Sequence, residues 1–406
     1  MVKIGILREE KVKTDMRVAF SPDQCKFLEE KFNVKIYCQS SKIRCFSDNE
    51  YRKKSIEVLE DISNCDIFFG VKEIDENKII SGKKYFFFSH TIKEQEYNRD
   101  MIKKIVEKKI TLIDYECIKD KEGKRLVAFG KLAGIVGAYN AILGYGKKTK
   151  KYNLKRCFQF KNYNKLKRKI KQIKLSKMKI VVLGSGKVAK GCVEILKEFN
   201  IIEINNSQLK KEKFQHAVFC QLTPKDYYIK NNNNRFSKKL FYNNPVDYNS
   251  NFEQYFDSID ILINATYWND RIPRIFTLNQ MKSKKFKIKL IADISCDIKG
   301  LIPCTLKSTT IESPFYDYNP EKNKIQKEFE SNKNVTIMAV DNLPSELPTD
   351  ASIDFGNQLI DYVINPLLLK NNKNKERLNN ATITKNGKLT KEYLYLQRFI
   401  ENNIKT

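Results

Sequence analysis

The sequence predicts an α/β protein made of two Rossmann-like domains with parallel sheets and an active-site cleft between them. Short apolar runs alternate with helical patterns along most of the chain, which is typical of parallel α/β domains. A glycine-rich loop joins an apolar strand to a helix near the middle of the chain, as in dinucleotide-binding folds. The length of 406 residues exceeds the roughly 250–300 residues at which a single core stops growing.

The first part of the chain contains five strand-like runs, at residues 2–6, 34–37, 67–71, 85–89 and 111–113. The segment after Ser21 predicts a capped helix with Pro22 at its first position. Residues 93–107 predict a further helix. Strands that alternate with helices in this way favour a parallel sheet.

A second set of six strand-like runs follows, at residues 180–183, 201–204, 217–221, 259–265, 288–294 and 335–340. Their spacing is typical of a doubly wound sheet. The apolar, small-residue segment 132–143 predicts a buried helix that crosses into this second domain. The asparagine run 231–234 predicts a loop tip.

One long helix is predicted at residues 351–369, and it returns the chain to the first domain. We therefore expect a discontinuous substrate and catalytic domain at residues 1–132 and 345–406. Residues 133–344 are expected to form the dinucleotide-binding Rossmann domain. The polar tail beyond Asn371 predicts a helix and a ragged end.

The composition argues against several classes of protein. Ten cysteines are scattered without a CxxC pair and only two histidines occur, so we expect no metal site and a cytoplasmic protein with reduced thiols. The N-terminus lacks the apolar core of a signal peptide, and no run reaches the roughly 18 apolar residues of a membrane span. We expect no membrane partner.

The formal net charge of +28 raises the question of a nucleic-acid partner. The basic residues are spread along most of the chain, and the densest stretch, residues 147–179, carries no recognition motif. We interpret the charge as a biased composition on solvated faces and expect no nucleic-acid partner.

The glycine loop is the strongest local motif. An apolar strand at residues 179–183 enters Gly184-Ser185-Gly186, and a helix at residues 187–198 leaves it. Gly184 permits a tight turn, and Gly186 lets the backbone approach a pyrophosphate at the helix N-terminus. Gly191 stands two residues beyond the third glycine of the strict pattern. A domain that binds some other nucleotide is the alternative interpretation.

The choice of cofactor depends on the end of the second strand, where an acidic residue would bind the ribose of NAD. Glu203 is the only candidate there, and the nearby Lys210 or Lys211 would suit the 2′-phosphate of NADP instead. We expect NAD as the cofactor, with NADP as the alternative.

Three residues of the first domain are candidates for chemistry. Arg17 precedes the first helix and suits a substrate carboxylate, although a surface arginine is the simpler interpretation. Lys72 follows a strand directly, where desolvation would lower its pKa and make it a general base. Taken alone, a solvated lysine is the simpler interpretation. His90 ends a strand and would transfer protons near pH 7 or only cap the next helix. His216 has no comparable setting and is interpreted as structural.

Seven segments in order resemble the alanine dehydrogenase and transhydrogenase superfamily, in its saccharopine dehydrogenase and lysine-ketoglutarate reductase branch. They are LREEKVKTDMRVAFSP, GVKEI, FFFSHTIKEQ, LIDYECIKDKEGKRLVAFGKLAG, IADISCDIKGLIP, STTIESPFYDYNP and VDNLPSELPTDAS. The resemblance extends from Lys3 to about Leu369 and is far more specific than the glycine loop alone.

The resemblance implies a role for each matching residue. Lys72 would be the general base and His90 the second acid/base group. The substrate would be lined by Arg17, Gln95, Arg125, Phe129, Ser295 and Asp297. The dinucleotide would contact the glycine loop together with Lys187, Val188, Ile294, Asp341, Asn342, Leu343 and Pro344.

The reaction implied is oxidation of the secondary amine of saccharopine with a nicotinamide cofactor, which gives L-lysine and 2-oxoglutarate, or the reverse condensation. Closure of the cleft would exclude water from the hydride step. An amino-acid dehydrogenase of the alanine type, an NADP-linked lysine-ketoglutarate reductase and a non-catalytic nucleotide-binding or nucleic-acid-binding protein are the alternatives. The expected partner is a small amino-acid substrate, and the oligomeric state is left open.

Overall fold

The computed structural model describes residues 1–11, 14–231, 236–369 and 375–401. The chain divides into two compact units. Unit 1 comprises Met1–Phe129 and Pro348–Thr406, and unit 2 comprises Gly130–Leu347. Within the described ranges, no helix is both long and apolar enough to cross a membrane. All ten cysteines are free thiols.

The strands of the described ranges are β1 (Val2–Ile6), β2 (Val34–Gln39), β3 (Glu57–Leu59), β4 (Ile67–Phe69), β5 (Lys84–Phe87), β6 (Thr111–Asp114), β7 (Met178–Leu183), β8 (Ile202–Glu203), β9 (Ala217–Leu222), β10 (Tyr228–Lys230), β11 (Tyr248–Ser250), β12 (Ile261–Asn264), β13 (Leu290–Asp293), β14 (Phe315–Asn319), β15 (Lys324–Gln326), β16 (Val335–Met338), β17 (Thr382–Lys385) and β18 (Lys388–Leu389).

The α-helices of the same ranges are α1 (Pro22–Lys31), α2 (Asp48–Arg52), α3 (Arg99–Glu107), α4 (Gly130–Thr149), α5 (Tyr163–Ile170), α6 (Lys187–Glu198), α7 (Asn206–Lys211), α8 (Pro224–Tyr227), α9 (Lys238–Asn243), α10 (Pro348–Leu359), α11 (Asn365–Leu368), α12 (Lys375–Asn380) and α13 (Leu396–Glu401). The asparagines 232–234 of the predicted loop tip lie outside the described residues.

Unit 1 contains an eight-stranded sheet in the order β18-β17-β6-β5-β4-β1-β2-β3. The six strands from β6 to β3 are parallel, with Ile4 of β1 paired to Ile36 on one side and to Ile67 on the other. The IFF sequence of β4 is buried at every position, as expected for a strand covered on both faces. All five strands predicted for this region are present.

Unit 2 contains a second eight-stranded sheet, in the order β15-β14-β16-β13-β12-β7-β9-β8. The strands from β16 to β8 are parallel, and β14 pairs antiparallel with both β15 and β16. The predicted fold class, two α/β domains with mainly parallel sheets, is confirmed. The pairs β14–β15 and β10–β11 were not predicted, because their strands are short and carry polar residues at many positions.

The C-terminal tail contains helix as predicted, in α12 and α13, but it also contains two strands that were not predicted. The last residues, 402–406, lie outside the described residues. β17 pairs antiparallel with β6, with Thr382 opposite Ile113, and β18 pairs with β17. Four residues with the sequence TITK carry too little pattern to predict a strand, so the pairing with β6 decides the structure.

Two predicted helices have different bounds. The helix predicted at residues 93–107 begins only at Arg99, because His90 and Glu94 adopt left-handed backbone angles (φ 54° and 49°) that break the turn before it. The long helix near the C-terminus begins at Pro348 and changes to a π-helical segment at Ile360–Ile364. Pro366 lacks the N–H that a regular helix needs at this point, which accounts for the irregularity.

The small residues predicted to mark a buried helix let α4 approach α6 closely. A Cβ atom added to Gly134 would lie 1.9 Å from the carbonyl oxygen of Val188. A Cβ atom on Gly191 would lie 2.1 Å from the carbonyl oxygen of Lys131. The two backbones are therefore in direct contact, and α4 fixes the position of the first turns of α6.

We predict that Gly134→Ala destabilises the protein by about 1–3 kcal/mol, because the added methyl group must separate α4 from α6. Gly130→Ala is the matched control on the same helix, since its Cβ would meet its nearest neighbour at an ordinary 3.4 Å. Urea denaturation measures both variants. Equal stability of the two would contradict the close helix contact.

Candidate active site

Lys72 follows β4 at the carboxyl edge of the unit 1 sheet. Its backbone is held by Glu9, which follows the neighbouring strand β1. The buried carboxylate of Glu9 accepts the N–H of Val71 at 2.7 Å and that of Lys72 at 2.8 Å. Burial and the nearby Asp15 raise the pKa of Glu9 to about 7, although the two N–H groups oppose this. Glu9 therefore fixes the backbone from which the Lys72 side chain extends.

Arg17 forms a buried bidentate ion pair with Asp15. Its Nε and Nη2 lie 2.9 Å and 2.6 Å from the two carboxylate oxygens. Burial acts to raise the pKa of Asp15, but Arg17, with a contribution from the charge of Lys72, lowers it. The guanidinium stacks over Phe129 at 4.4 Å, and Phe129 stacks on Phe355 at 4.5 Å. Two residues predicted to bind substrate, Arg17 and Phe129, are thus in contact.

His90 follows β5, the strand next to β4, in a left-handed conformation. Its Nδ1 lies 2.7 Å from Oε1 of Glu73, whose Oε2 lies 3.2 Å from the ammonium of Lys11. Burial acts to raise the pKa of Glu73, but the hydrogen bond with His90 and the charges of His90 and Lys11 lower it to about 2. An ionised carboxylate only accepts, so Nδ1 donates and Nε2 remains for proton transfer.

Asp114, at the end of β6, holds the left-handed turn at His90. Its Oδ2 accepts the N–H of Ser89 at 3.0 Å, the Ser89 hydroxyl at 2.5 Å and the N–H of His90 at 3.2 Å. Three buried acids that the sequence analysis missed, Glu9, Glu73 and Asp114, therefore position the two predicted catalytic residues. Each lies at or just after the carboxyl end of a strand, which is the signal that would have identified them.

The other two predicted substrate residues of unit 1 lie farther along the chain. Gln95 is exposed and follows the left-handed Glu94. Arg125 is half-exposed and forms an ion pair with the buried Glu116, whose N–H donates to Asp114 at 2.7 Å. Arg125 is therefore linked through Glu116 to Asp114, the carboxylate that holds the backbone of His90.

A cavity of about 300 Å³ adjoins Lys72 within unit 1. Its lining holds six carboxylates and three cations. The carboxylates are Glu9, Glu10, Glu60, Asp61, Glu73 and Asp75, and the cations are Arg8, Lys72 and Lys78. Arg8 and Lys78 are already paired with Glu10 and Glu60. The excess negative charge of the lining therefore rests mainly on Asp61 and Asp75, which form no ion pair within the described residues, and this excess favours a positively charged group.

In unit 2 the glycine loop connects β7 to α6. Gly184 has a φ of 104°, and a Cβ there would lie 2.8 Å from the carbonyl oxygen of Ala265, so only glycine suits the position. Gly186 is exposed, and a Cβ there would meet nothing within 4 Å. Gly186 also caps α6 without a side-chain hydrogen bond. Lys187 and Val188 form the first turn of that helix.

A polar network lies at the ends of β12 and β13. The buried carboxylate of Asp293 accepts hydrogen bonds from Asn264 at 2.9 Å, Ser295 at 2.8 Å and Thr305 at 2.6 Å. Burial raises the pKa of Asp293, against these three hydrogen bonds. Burial also raises the pKa of the half-buried Asp297. The network fixes the hydroxyl of Ser295, one of the two substrate residues predicted in this unit.

The remaining residues predicted to contact the dinucleotide fall into two groups. Gly191 packs α6 against α4, and Ile294 and Leu343 pack against Gly137 of α4, so the structure gives these three a packing role. Asp341 is exposed and Asn342 is half-exposed, whereas Pro344 is buried in the turn Leu343–Glu346.

The structure corrects the hypothesis about Glu203. This residue lies on the two-residue edge strand β8, and its carboxylate pairs with Lys197 at 2.7 Å. The strand next to β7 is β9, and Thr223 follows its end. Chain order suggested that β8 would lie beside β7, but β9 is longer and apolar and takes that place.

Two family models match most of the chain. The alanine dehydrogenase/PNT N-terminal domain matches residues 5–136, and the alanine dehydrogenase/PNT C-terminal domain matches residues 166–392. The chain belongs to the alanine dehydrogenase/PNT family. This membership confirms the resemblance found in the sequence.

Curated relatives of this alanine dehydrogenase/PNT protein include the mitochondrial alpha-aminoadipic semialdehyde synthase of Rattus norvegicus, at 30% identity over 98% of this chain and 48% of the rat protein. The Arabidopsis thaliana alpha-aminoadipic semialdehyde synthase is 28% identical over 98% of this chain and 42% of its own length. The chain thus spans about half the length of these relatives. Saccharopine dehydrogenase [NAD(+), L-lysine-forming] of Candida albicans is 24% identical over 87% of this chain and 89% of the Candida protein.

Solved structures agree on the fold. An L-alanine dehydrogenase superposes with a TM-score of 0.63 at 17% identity, over 98% of this chain and 99% of the other. A transhydrogenase from Sinorhizobium meliloti has a TM-score of 0.57 at 14% identity, over 96% and 98% of the two chains. At these identities the likeness establishes the alanine dehydrogenase/PNT fold alone.

The glycine loop fits the dinucleotide that the alanine dehydrogenase/PNT family implies. The exposed backbone at Gly186 has space that a side chain would fill, and the N-terminus of the twelve-residue α6 has no capping side chain. Free N–H groups and the positive end of the helix dipole there suit a pyrophosphate.

We predict that Gly186→Ala weakens dinucleotide binding and leaves the stability of the fold unchanged. The added methyl group meets no protein atom within 4 Å, so any loss comes from the space needed by the pyrophosphate. Quenching of the fluorescence of Trp268, the single tryptophan, measures binding. Unchanged affinity in this variant would show that the loop does not approach the cofactor.

We predict that Glu73 contributes to stability in a pH-dependent way. Its folded pKa of about 2 lies below the ordinary 4.5, so its contribution is complete above about pH 4.5 and is lost as pH falls toward 2. Glu73→Gln should lower the free energy of unfolding by an amount on the order of 3 kcal/mol at neutral pH and flatten its acid dependence. The control is Glu30→Gln, at an exposed position on α1. Parallel pH curves for wild type and Glu73→Gln would exclude this role.

Proposed function

We propose that the chain oxidises the secondary amine of saccharopine with a nicotinamide cofactor to give L-lysine and 2-oxoglutarate, or catalyses the reverse condensation. The observation that carries the proposal is the arrangement of Lys72 and His90 after neighbouring strands, each supported by a buried carboxylate. Two positioned acid/base groups match a reaction that needs proton transfers in both its redox step and its hydrolytic step.

The charges of unit 1 support a substrate that carries both signs. Arg17 uses Nε and Nη2 on Asp15, and its Nη1 has no partner among the described residues, so it is available for a substrate carboxylate. The acidic cavity beside Lys72 favours a cationic arm such as that of a lysyl group. L-Alanine has no such arm, so this cavity favours saccharopine over an alanine-type substrate.

The chain's own residues divide the proton transfers between them. A bound nicotinamide cofactor supplies the hydride acceptor. Within the described residues the side-chain nitrogen of Lys72 forms no ion pair or hydrogen bond. In the neutral amine form its lone pair is therefore free to accept the proton of the substrate amine before hydride transfer. His90, held through Nδ1 by Glu73, then presents Nε2 to the water that hydrolyses the imine and to the departing lysine amine.

The choice between NAD and NADP rests on the edge of the unit 2 sheet. No acid directly ends β9, the strand next to the glycine loop, and Glu203 is engaged by Lys197. The name of the Candida relative specifies NAD, which supports NAD here, whereas the missing acid supports NADP as the alternative.

The basic stretch 147–179 gives no support to a nucleic-acid partner. Several of its cations are paired within unit 2, including Lys148 with Asp317, Arg156 with Glu346, and both Lys167 and Lys171 with Glu198. The scattered free thiols, most of them buried, support a reducing compartment such as the cytosol.

The experiment that tests the proposal is dinucleotide reduction followed at 340 nm. Saccharopine and L-alanine are each offered with NAD and with NADP. Saccharopine-dependent reduction supports the proposal and identifies the cofactor. Turnover of L-alanine alone would assign the chain to the alanine type, and no turnover despite dinucleotide binding would refute the proposed substrate.

We predict that Lys72→Met and His90→Gln each lower kcat by about 10²–10⁴-fold, the usual contribution of a positioned acid or base. Both variants should remain folded, because neither side chain lies in the apolar core. Matched controls are Lys26→Met on the exposed surface of α1 and His216→Gln in unit 2, and both should turn over like wild type. Near-normal rates in Lys72→Met and His90→Gln would remove this mechanism.

A further inference from the structure

A buried carboxylate follows the predicted dinucleotide segment of unit 2. Glu346 has no exposed surface and ends the turn Leu343–Glu346. Its Oε1 accepts hydrogen bonds from Nδ2 of Asn140 at 2.8 Å and from Nη2 of Arg156 at 2.6 Å. Asn140 belongs to α4, and Arg156 belongs to the irregular segment after that helix. One carboxylate therefore joins three separate parts of unit 2.

The partners of Glu346 are themselves held in place. The guanidinium of Arg156 is largely buried and lies 5.2 Å from the ring of Phe158. The hydroxyl of Tyr139 donates to the carbonyl oxygen of Lys155 at 2.6 Å, which ties the segment before Arg156 to α4. A buried ion pair adds little net stability because its desolvation is costly. We therefore explain the Arg156–Glu346 pair by the geometry that it fixes and not by a gain in stability.

The same turn is also seated on α4 by apolar contacts. A Cβ atom on Gly137 would lie 2.5 Å from Cδ1 of Ile294 and 3.2 Å from Cδ1 of Leu343, so both side chains fill the notch at that glycine. Gly137 lies three residues before Asn140, on the same face of the helix. The turn is thus held by one apolar contact and one charged contact.

The turn Leu343–Glu346 lies at the carboxyl edge of the unit 2 sheet, the edge that also carries the glycine loop. The strands β7, β12, β13 and β16 are parallel neighbours, so their carboxyl ends, and the glycine loop that follows β7, share one edge. The exposed Asp341 and half-exposed Asn342 stand between β16 and the turn. Any movement of the turn would displace these two residues.

We infer that Glu346 is a positioning residue for dinucleotide binding. Together with Arg156 and Asn140 it holds the turn Leu343–Glu346 on α4, and this keeps Asp341 and Asn342 in place for the cofactor. The inference rests on the dinucleotide site of the proposed function and not on the identity of the amino-acid substrate.

The test is direct titration of Glu346→Gln with NADH and with NADPH, followed by the fluorescence of Trp268. Glutamine removes the charge that faces Arg156 and can offer only one acceptor oxygen. We expect dinucleotide Kd to rise about tenfold, the scale of a lost charge-assisted hydrogen bond. An unchanged Kd in the folded variant would overturn the inference.

A second buried ion pair of unit 2 provides the matched control. Lys148 and Asp317 lie 3.2 Å apart and are both buried, and Lys148 lies about 16 Å along α4 from Gly137. Asp317→Asn should lower Tm and leave dinucleotide Kd unchanged. An equal loss of affinity in Asp317→Asn and Glu346→Gln would show a general loss of stability and overturn the inference.

A double variant separates positioning from stability. Arg156→Met with Glu346→Leu replaces the pair by apolar groups, which restores stability in many proteins. We expect Tm to recover while Kd stays weak, and recovery of both would overturn the inference. If Glu346→Gln does not fold, Asn140→Ala removes one donor and is titrated in the same way. Wild type that binds neither dinucleotide would instead refute the proposed function.

Discussion

The candidate active site depends on one interaction, the hydrogen bond between the ionised carboxylate of Glu73 and Nδ1 of His90. Burial alone would favour a neutral Glu73, but His90 and Lys11 keep it charged. A charged carboxylate fixes the tautomer and the orientation of the imidazole. Under the proposed function, the other nitrogen is the one that exchanges protons with substrate or water.

Two more buried carboxylates, Glu9 and Asp114, hold the backbone of the unit 1 site. Glu9 and Asp114 lie at the ends of other strands and accept backbone N–H groups from the segments that carry Lys72 and His90. Each acid is buried and accepts at least two hydrogen bonds, which offset part of the cost of burial. The side chains of Lys72 and His90 therefore extend from backbone that is held by carboxylates, a stronger constraint than a free loop would provide.

Much of the architecture could be predicted from the sequence because its signals are local. Apolar runs marked the central strands, and Gly184 and Gly186 marked the loop before α6. The unpredicted features depend on contacts between distant residues. The TITK strand β17 forms because β6 offers a free edge. Glu203 does not lie beside the glycine loop because β9, and not β8, pairs with β7.

The candidate site shows the same division between local and distant signals. Lys72 and His90 became candidates because each stands at the end of an apolar strand, and the family resemblance supplied their catalytic roles. Glu73, which follows Lys72 directly, was overlooked because its partner is seventeen residues away. A charged residue in a basic, charge-rich sequence carries little information until the fold shows that it is buried and which donor it meets.

The measurement that tests the central claim most directly is ¹⁵N NMR of the protein labelled at histidine, since only two histidines are present. His216, which is exposed, serves as the internal reference. We expect the neutral imidazole of His90 to carry its hydrogen on Nδ1, the tautomer that the hydrogen bond with Glu73 selects. Glu73→Gln should remove this difference between the two histidines. A tautomer mixture at His90 that matches His216 and does not respond to Glu73→Gln would contradict the account.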